Sequence, residues 1–333
     1  MVTNIKKLDE NSIQQAKSLL LSGEVVAIPT ETVYGLGAIG TNPKAVQKIF
    51  EVKGRPSDNP LIAHVHKDYD IEKLVFVEHD YVYKLIKAFT PGPLTLVMKS
   101  KNVVCKEAVC GGETLAVRIP EHKGCQQLLK AVNEPIVAPS ANLSKHTSPV
   151  TAEHVYNDLN GKISLILDGG KCQGGIESTV LDVTGEVPVI LRKGLVTAEM
   201  IKQVVGECLY ADERVVGQTR SPGMKYSHYC PTCETALFER SKVQDALNLY
   251  ESAVKSGKRV AILADGEMAK KLSDKNLLLL GDTGEQMARN LYQLLREAER
   301  DYDILISFEL DIKDEITLSV NNRFLKAFGK GSK

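Results

Sequence analysis

Val25-Val26-Ala27-Ile28-Pro29-Thr30-Glu31-Thr32-Val33-Tyr34-Gly35-Leu36-Gly37 begins as an apolar run and breaks at a proline into hydroxyls, a carboxylate and glycines. The run follows helical spacing at Ile13, Ala16, Leu19 and Leu20 and a stop at Gly23, so it reads as a helix, a turn and a buried strand. Pro29 to Gly37 then reads as a polar loop at the strand's carboxyl end, where α/β sheets bind ligands. Taken alone it is equally a capped turn, with threonines bonding the backbone and glycines supplying positive φ. No G-K-[ST] follows, so it is not a Walker loop.

Further apolar runs predict strands at Leu61 to Val65, Leu94 to Met98, Leu115 to Ile119, Ile136 to Ala138, Ile163 to Leu167, Thr179 to Val183 and Val189 to Leu191. Helical spacing is seen around Lys44 to Val52, Tyr81 to Phe89, Gln126 to Val132, Val155 to Leu159 and Ala198 to Val205. Strands that outnumber helices in irregular order predict an α/β (α+β-like) domain on a twisted mixed sheet, not a regular βαβ repeat. Residues 207–235 hold Ser221-Pro222-Gly223, Tyr226, His228 and Tyr229 without a sustained period, and read as a linker or lid. From Leu237 onward helices and strands alternate, and Thr283 with Gln286 forms a capping-box pattern before a long amphipathic helix. This predicts a second, smaller, Rossmann-like doubly wound domain, although no G-x-G-x-x-G fingerprint is present. The expected organisation is therefore a domain over 1–206, a linker over 207–235 and a domain over 236–333.

A length of 333 residues with 43% apolar and 25% charged residues suits such a two-domain globular protein. Forty-two basic residues balance forty-two acidic ones, so no global field gathers nucleic acid or an anionic membrane. The N-terminus lacks a signal peptide's apolar core and no run is long enough to span a bilayer, which predicts a cytoplasmic protein with no membrane partner. Seven scattered cysteines are expected to be reduced thiols.

Charges in unusual places mark the candidate chemistry. Lys53-Gly54-Arg55-Pro56-Ser57-Asp58-Asn59-Pro60 sets two cations and an amide on a proline-stiffened segment, which suits phosphates, although Lys53 also suits a helix C-terminus. Arg118 stands inside an apolar strand and must be compensated, by a buried carboxylate or by an anionic ligand. Pro139-Ser140-Ala141-Asn142, Glu177-Ser178-Thr179 and Arg192-Lys193-Gly194 place polar groups where strands meet loops. Metal and nucleophile readings are weaker: His64 and His66 lack a nearby third ligand, Cys230-Pro-Thr-Cys233 is a single C-x-x-C, and no G-x-S-x-G elbow occurs.

Taken together, Pro29 to Gly37, Lys53-Gly-Arg-Pro with Asn59-Pro60-Leu61, Pro139 to Asn142 and Glu177-Ser-Thr-Val180 resemble the YrdC-type threonylcarbamoyl-AMP synthase family over about residues 8–206. Ser221-Pro-Gly-Met-Lys-Tyr226 and the C-terminal unit resemble its two-domain branch. The resemblance implies formation of L-threonylcarbamoyladenylate and pyrophosphate from L-threonine, bicarbonate or CO2, and ATP, for threonylcarbamoyl modification of adenosine 37 in tRNA. It implies Thr32, His64, Arg118, Ala138, Ser140 and Ser178 around threonine, and Arg55, Asn59, Thr114, Ser148, Arg192 and Tyr226 on the nucleotide. Lys53, Arg55, Ser140 and Asn142 are the residues it implies for catalysis. Mg2+ is expected on the ATP phosphates with no protein ligand, and the expected partners are downstream tRNA threonylcarbamoyl-transferase proteins, with a weak tRNA contact. Ser227 and Cys230 depart from the family pattern, where a basic and a small apolar residue are usual. The competing reading is an RNA-binding module without catalysis, which the neutral net charge disfavours.

Overall fold

Two helices and one end of a sheet form one hydrophobic core of the first unit. In helix Glu10–Leu21, started by the Asp9 carboxylate on the Ser12 amide, Ile13, Ala16 and Leu20 fall on one face. Helix Lys123–Val132 adds Cys125, Leu128, Leu129 and Val132, and both stripes bury against Val26, Ile28, Ile136, Leu165 and Leu167. The computed structural model of the protein describes residues 1–211, 229–272 and 274–329. The chain divides into two compact units, Met1–Ser144 with Pro149–Tyr226, and Lys145–Ser148 with Ser227–Lys333.

The first unit carries β1 (Asn4–Lys7), β2 (Val26–Ile28), β3 (Gly35–Ile39), β4 (Ile62–His64), β5 (Val75–Phe76) and β6 (Leu94–Ser100). Then follow β7 (Thr114–Arg118), β8 (Ile136–Val137), β9 (Leu165–Asp168), β10 (Thr179–Asp182), β11 (Val189–Arg192) and β12 (Leu209–Tyr210). They form one sheet in the order β1-β9-β2-β3-β8-β4-β7-β6-β10-β11-β12, with β5 beside β6. Parallel pairs (β4 with β7, β6 with β10) alternate with antiparallel ones (β6 with β7, β3 with β8), so the sheet is mixed, as expected.

One expectation needs correcting. The stretch Pro29 to Gly37 is a loop only as far as Tyr34; from Gly35 it is β3, antiparallel to β2 and wholly buried. Neither Gly35 nor Gly37 has a positive φ. They are glycines because neighbours come close: a Cβ on Gly37 would lie 2.9 Å from Ile136 Cγ2, and one on Gly35 3.2 Å from the Ala138 Cβ. Of the expected linker 207–235, Leu209–Tyr210 pairs as β12 with β11, and residues 212–228 lie outside the described residues.

The second unit holds β13 (Glu234–Phe238), β14 (Val260–Asp265), β15 (Leu277–Gly281) and β16 (Ile304–Phe308), all parallel, in the order β13-β16-β14-β15. Parallel strands joined by helices Val243–Lys255 and Gly284–Asp301 give the expected smaller α/β unit. Its capping box is half formed: Thr283 accepts from the Gln286 amide, but Gln286 Oε1 takes the amide of Asp282, one residue before the cap. Strand β13 and helix Glu315–Ala327 carry no strong sequence signal and were not expected.

Candidate active site

Strand register builds a polar row across the first unit's sheet. His64 of β4 lies opposite Arg118 of β7, Arg118 opposite Thr95 of β6, Thr95 opposite Val180 of β10, and Val180 opposite Arg192 of β11. Directly opposed residues point to one face of a sheet, so these side chains share a side. Ile62, Val97, Ala116 and Val180 pack together on that side as an apolar floor. Thr114 belongs to the same face but to the opposite end of β7, four residues and about 13 Å from Arg118 at strand rise.

The signature loops are sewn to one another above this row. Leu36 N–H donates to Pro139 O at 2.9 Å and Ala141 N–H to Tyr34 O at 2.8 Å, with Gly35 and Ser140 bridged between them. Ala138 donates its N–H to Ile62 O at 3.0 Å, which joins this loop to β4. Thr30 gives its single hydroxyl proton to Val33 O at 2.7 Å. The Thr32 hydroxyl, 2.9 Å away, must therefore be the donor to Thr30 Oγ1, which leaves the Thr32 oxygen with acceptor capacity.

Lys53 ends helix Pro43–Lys53, which stops at Gly54 in the left-handed conformation with φ 58. Its ammonium is buried and points to the other signature, donating to the carbonyls of Ser140 and Asn142. Arg55 donates to Asn59 O at 2.8 Å, and Asn59 itself is buried. Thus the K-x-R and S-x-N segments form one cluster.

The carboxylate alternative for Arg118 is realised, and its partner comes from the first loop. Arg118 Nη2 donates to Glu31 Oε1 at 2.7 Å, with both side chains largely buried. Burial opposes ionisation of Glu31, but the Arg118 charge and hydrogen bond outweigh it and hold the carboxyl below its ordinary pKa. His64 donates Nδ1–H to Ile62 O at 3.0 Å, and burial, then the Arg118 charge, hold its pKa down to about 3, so the ring is neutral. Ser178 Oγ lies 2.8 Å from Thr95 Oγ1 and accepts from Arg192 Nη2 at 3.1 Å, while Arg192 Nε donates to Ser178 O. Thr95 was not singled out from the sequence; its only signal is a polar residue within the apolar run Leu94 to Met98.

Of the remaining expected residues, Ser148 is buried in Lys145–Ser148, which groups with the second unit, and Tyr226 lies outside the described residues. His66 bonds to Asn133 Oδ1 and does not share the row with His64. Cys230 and Cys233 are not joined in a disulfide, and the Cys230 thiol donates to Lys326 O at 3.5 Å; among the described residues no group of His, Cys, Asp or Glu side chains is arranged to hold a metal.

Residues 18–194 match the Sua5/YciO/YrdC family profile, described as telomere recombination, and residues 196–329 match a threonylcarbamoyl-AMP synthase C-terminal domain. The chain belongs to the Sua5/YciO/YrdC family. It is 39% identical to a threonylcarbamoyl-AMP synthase of Pyrococcus abyssi over 99% of this chain and 98% of that one. A Bacillus subtilis protein of the same name is 40% identical over 98% of this chain and 96% of its own length. The crystal structure of P. abyssi Sua5 complexed with L-threonine superposes with a TM-score of 0.87 at 38% identity, covering 99% of this chain and 98% of that one. As a two-domain Sua5-type chain, the protein has the fold read from its sequence, a large mixed sheet and a smaller parallel one. Among the described residues no helix is long and apolar enough to cross a membrane.

Proposed function

We propose that this chain is an L-threonylcarbamoyladenylate synthase, a nucleotidyltransferase that joins L-threonine, bicarbonate or CO2, and ATP, and releases pyrophosphate. The observation that carries the reading is the convergence of separate signature segments: Lys53 on Ser140 and Asn142, Glu31 on Arg118, and Arg192 on Ser178. Relatives that this chain matches over nearly their whole length bear that name.

In this reading threonine lies along the row, its carboxylate toward Arg118, with Thr32, His64, Ala138, Ser140 and Ser178 around it. The nucleotide contacts Arg55, Asn59, Thr114, Ser148, Arg192 and Tyr226. Lys53, Arg55, Ser140 and Asn142 form the catalytic cluster. The threonine amine adds to CO2 and loses a proton to water to give a carbamate, whose oxygen attacks the α-phosphorus as the bond to pyrophosphate breaks. Fixed cations suit that departure, because they are in place before charge develops. Mg2+ would neutralise the phosphates and is assigned to ATP rather than to the chain: Glu31, the carboxylate bonded to Arg118, already has both oxygens engaged, and Mg2+ commonly binds through substrate phosphates. A domain over 1–206, a linker over 207–235, a domain over 236–333, a cytoplasmic location and transfer of the product to tRNA-modifying proteins complete the proposal.

The test is pyrophosphate release by the purified protein with ATP, threonine and bicarbonate. Release is expected to vanish without threonine and to fall at least about a hundredfold in Arg55→Ala, the scale of losing a charge-stabilising contact in the transition state. Release that ignores threonine would end this reading.

A further inference from the structure

Glu31 is the acidic residue of Pro29 to Gly37, and every acceptor it offers is engaged. Oε1 takes Arg118 Nη2 at 2.7 Å, Oε2 takes the Glu121 amide at 3.0 Å, and its main-chain oxygen takes the Gly174 amide at 2.7 Å. One residue thus ties the end of β7, the corner after it and the turn at Gly174. Arg118 Nε, in contrast, is buried with no acceptor among the described residues.

We infer that Glu31 is a positioning residue that aims Arg118 at the carboxylate of the amino-acid substrate. The inference rests on the reading that Arg118 meets that carboxylate. A guanidinium is planar and its donors have fixed directions, so anchoring Nη2 sets where the other N–H groups point. Two effects oppose each other when Glu31 is removed. Coulomb attraction between Arg118 and an incoming carboxylate would rise, because a competing anion is gone. Yet the guanidinium would lose its anchor, and the Glu121 amide its acceptor, so the arginine would have to be reordered at binding. Orientation fixed beforehand decides, because a buried arginine freed from its partner turns toward other carbonyls rather than waiting in place.

The experiment measures steady-state pyrophosphate release by the full chain, varying threonine at saturating ATP and then ATP at saturating threonine, for wild type, Glu31→Gln, Glu31→Ala and Arg118→Lys. Glu31→Gln is expected to raise KM for threonine about tenfold and leave KM for ATP within about twofold, with Glu31→Ala larger in the same direction. A purely structural role would shift both KM values together and lower the melting temperature. Unchanged or lower threonine KM in Glu31→Gln, or parallel rises in both constants, overturns the inference. Should Glu31→Ala fail to fold, Glu31→Gln, which keeps an oxygen for Arg118, decides. Arg118→Lys separates the two levels: if it raises threonine KM while Glu31→Gln does not, only the role of Glu31 falls, and if it leaves threonine KM unchanged, the reading of Arg118 falls and takes the inference with it.

Discussion

The ammonium of Lys53 reaches Ser140 O and Asn142 O at 2.5 Å each, and the Lys53 carbonyl accepts from the Ser144 amide at 2.9 Å. The lysine holds the S-x-N segment through both its side chain and its backbone. Lys53→Met keeps much of the apolar stem and removes the donors, leaving buried carbonyls unsatisfied at a total cost of about 2–4 kcal/mol. Calorimetry should show a melting temperature lower by about 5–10 °C. Pyrophosphate release should fall with it, because Ser140 and Asn142 lose their support. An unchanged melting temperature would mean that this cluster carries no stability.

Thr30 is buried and does not need to touch a ligand to matter. It gives its proton to Val33 O and takes the proton of Thr32, so it fixes the polarity of Thr32. Thr30→Val removes these two bonds at nearly constant shape, together with those that Thr30 Oγ1 accepts from the Thr32 and Val33 amides at 3.2 and 3.3 Å, and the Thr32 hydroxyl becomes free to turn. Threonine KM should rise about tenfold with little change in ATP KM, a loss of about 1.4 kcal/mol, while Thr30→Ser should stay close to wild type. If valine and serine behave alike, the hydroxyl at position 30 has no part in the site.

How much of this was legible beforehand depended on whether the cause was local. Leu94 to Met98 and Leu115 to Ile119 announced themselves because sheets covered on both sides need apolar runs. Gly35–Ile39 did not, since its glycines look like turn residues until Ile136 and Ala138 pack on them from a distant part of the chain. Asn4–Lys7 is an exposed edge strand and has no burial pattern to read. In the site, Lys53 and Arg118 stood out as charges in stiff or apolar surroundings. The Glu31 partner of Arg118 lies 87 residues away on a loop, a tertiary contact invisible to spacing. Thr95 was hidden for the same reason: its meaning comes from standing opposite Arg118 and touching Ser178.

Gly194 offers a steric test of that part of the row. A Cβ there would lie 2.4 Å from the Thr179 amide nitrogen and 2.8 Å from the Ser178 carbonyl carbon, and backbone cannot step aside as a flexible side chain does. Gly194→Ala should therefore displace the Ser178–Thr179 strand start, costing about 1–3 kcal/mol. Because Arg192 is bonded to Ser178, activity should fall further than stability alone explains, with KM rising for threonine and ATP together. Full activity in Gly194→Ala would show that Ser178 need not sit where the structure places it.

Acid should expose His64 before it exposes Glu31. The His64 pKa drops on folding from 6.5 to about 3, so between those values the unfolded chain binds a proton that the native chain refuses. Stability attributable to this group is complete above pH 6.5 and is lost as pH falls, at up to about 1.4 kcal/mol per unit. Glu31 is also depressed, but its contribution is present above its ordinary value of 4.5 and is lost only as pH falls below that. The window between 4.5 and 6.5 thus separates the two groups. His64→Asn can still donate to Ile62 O and cannot titrate. Urea unfolding at about pH 7 and about pH 5.5 should show wild type losing about 1 kcal/mol more than His64→Asn over that interval. Equal losses in the two proteins would mean that His64 is protonated in the folded state, and a neutral His64 ring beside Arg118 would be wrong.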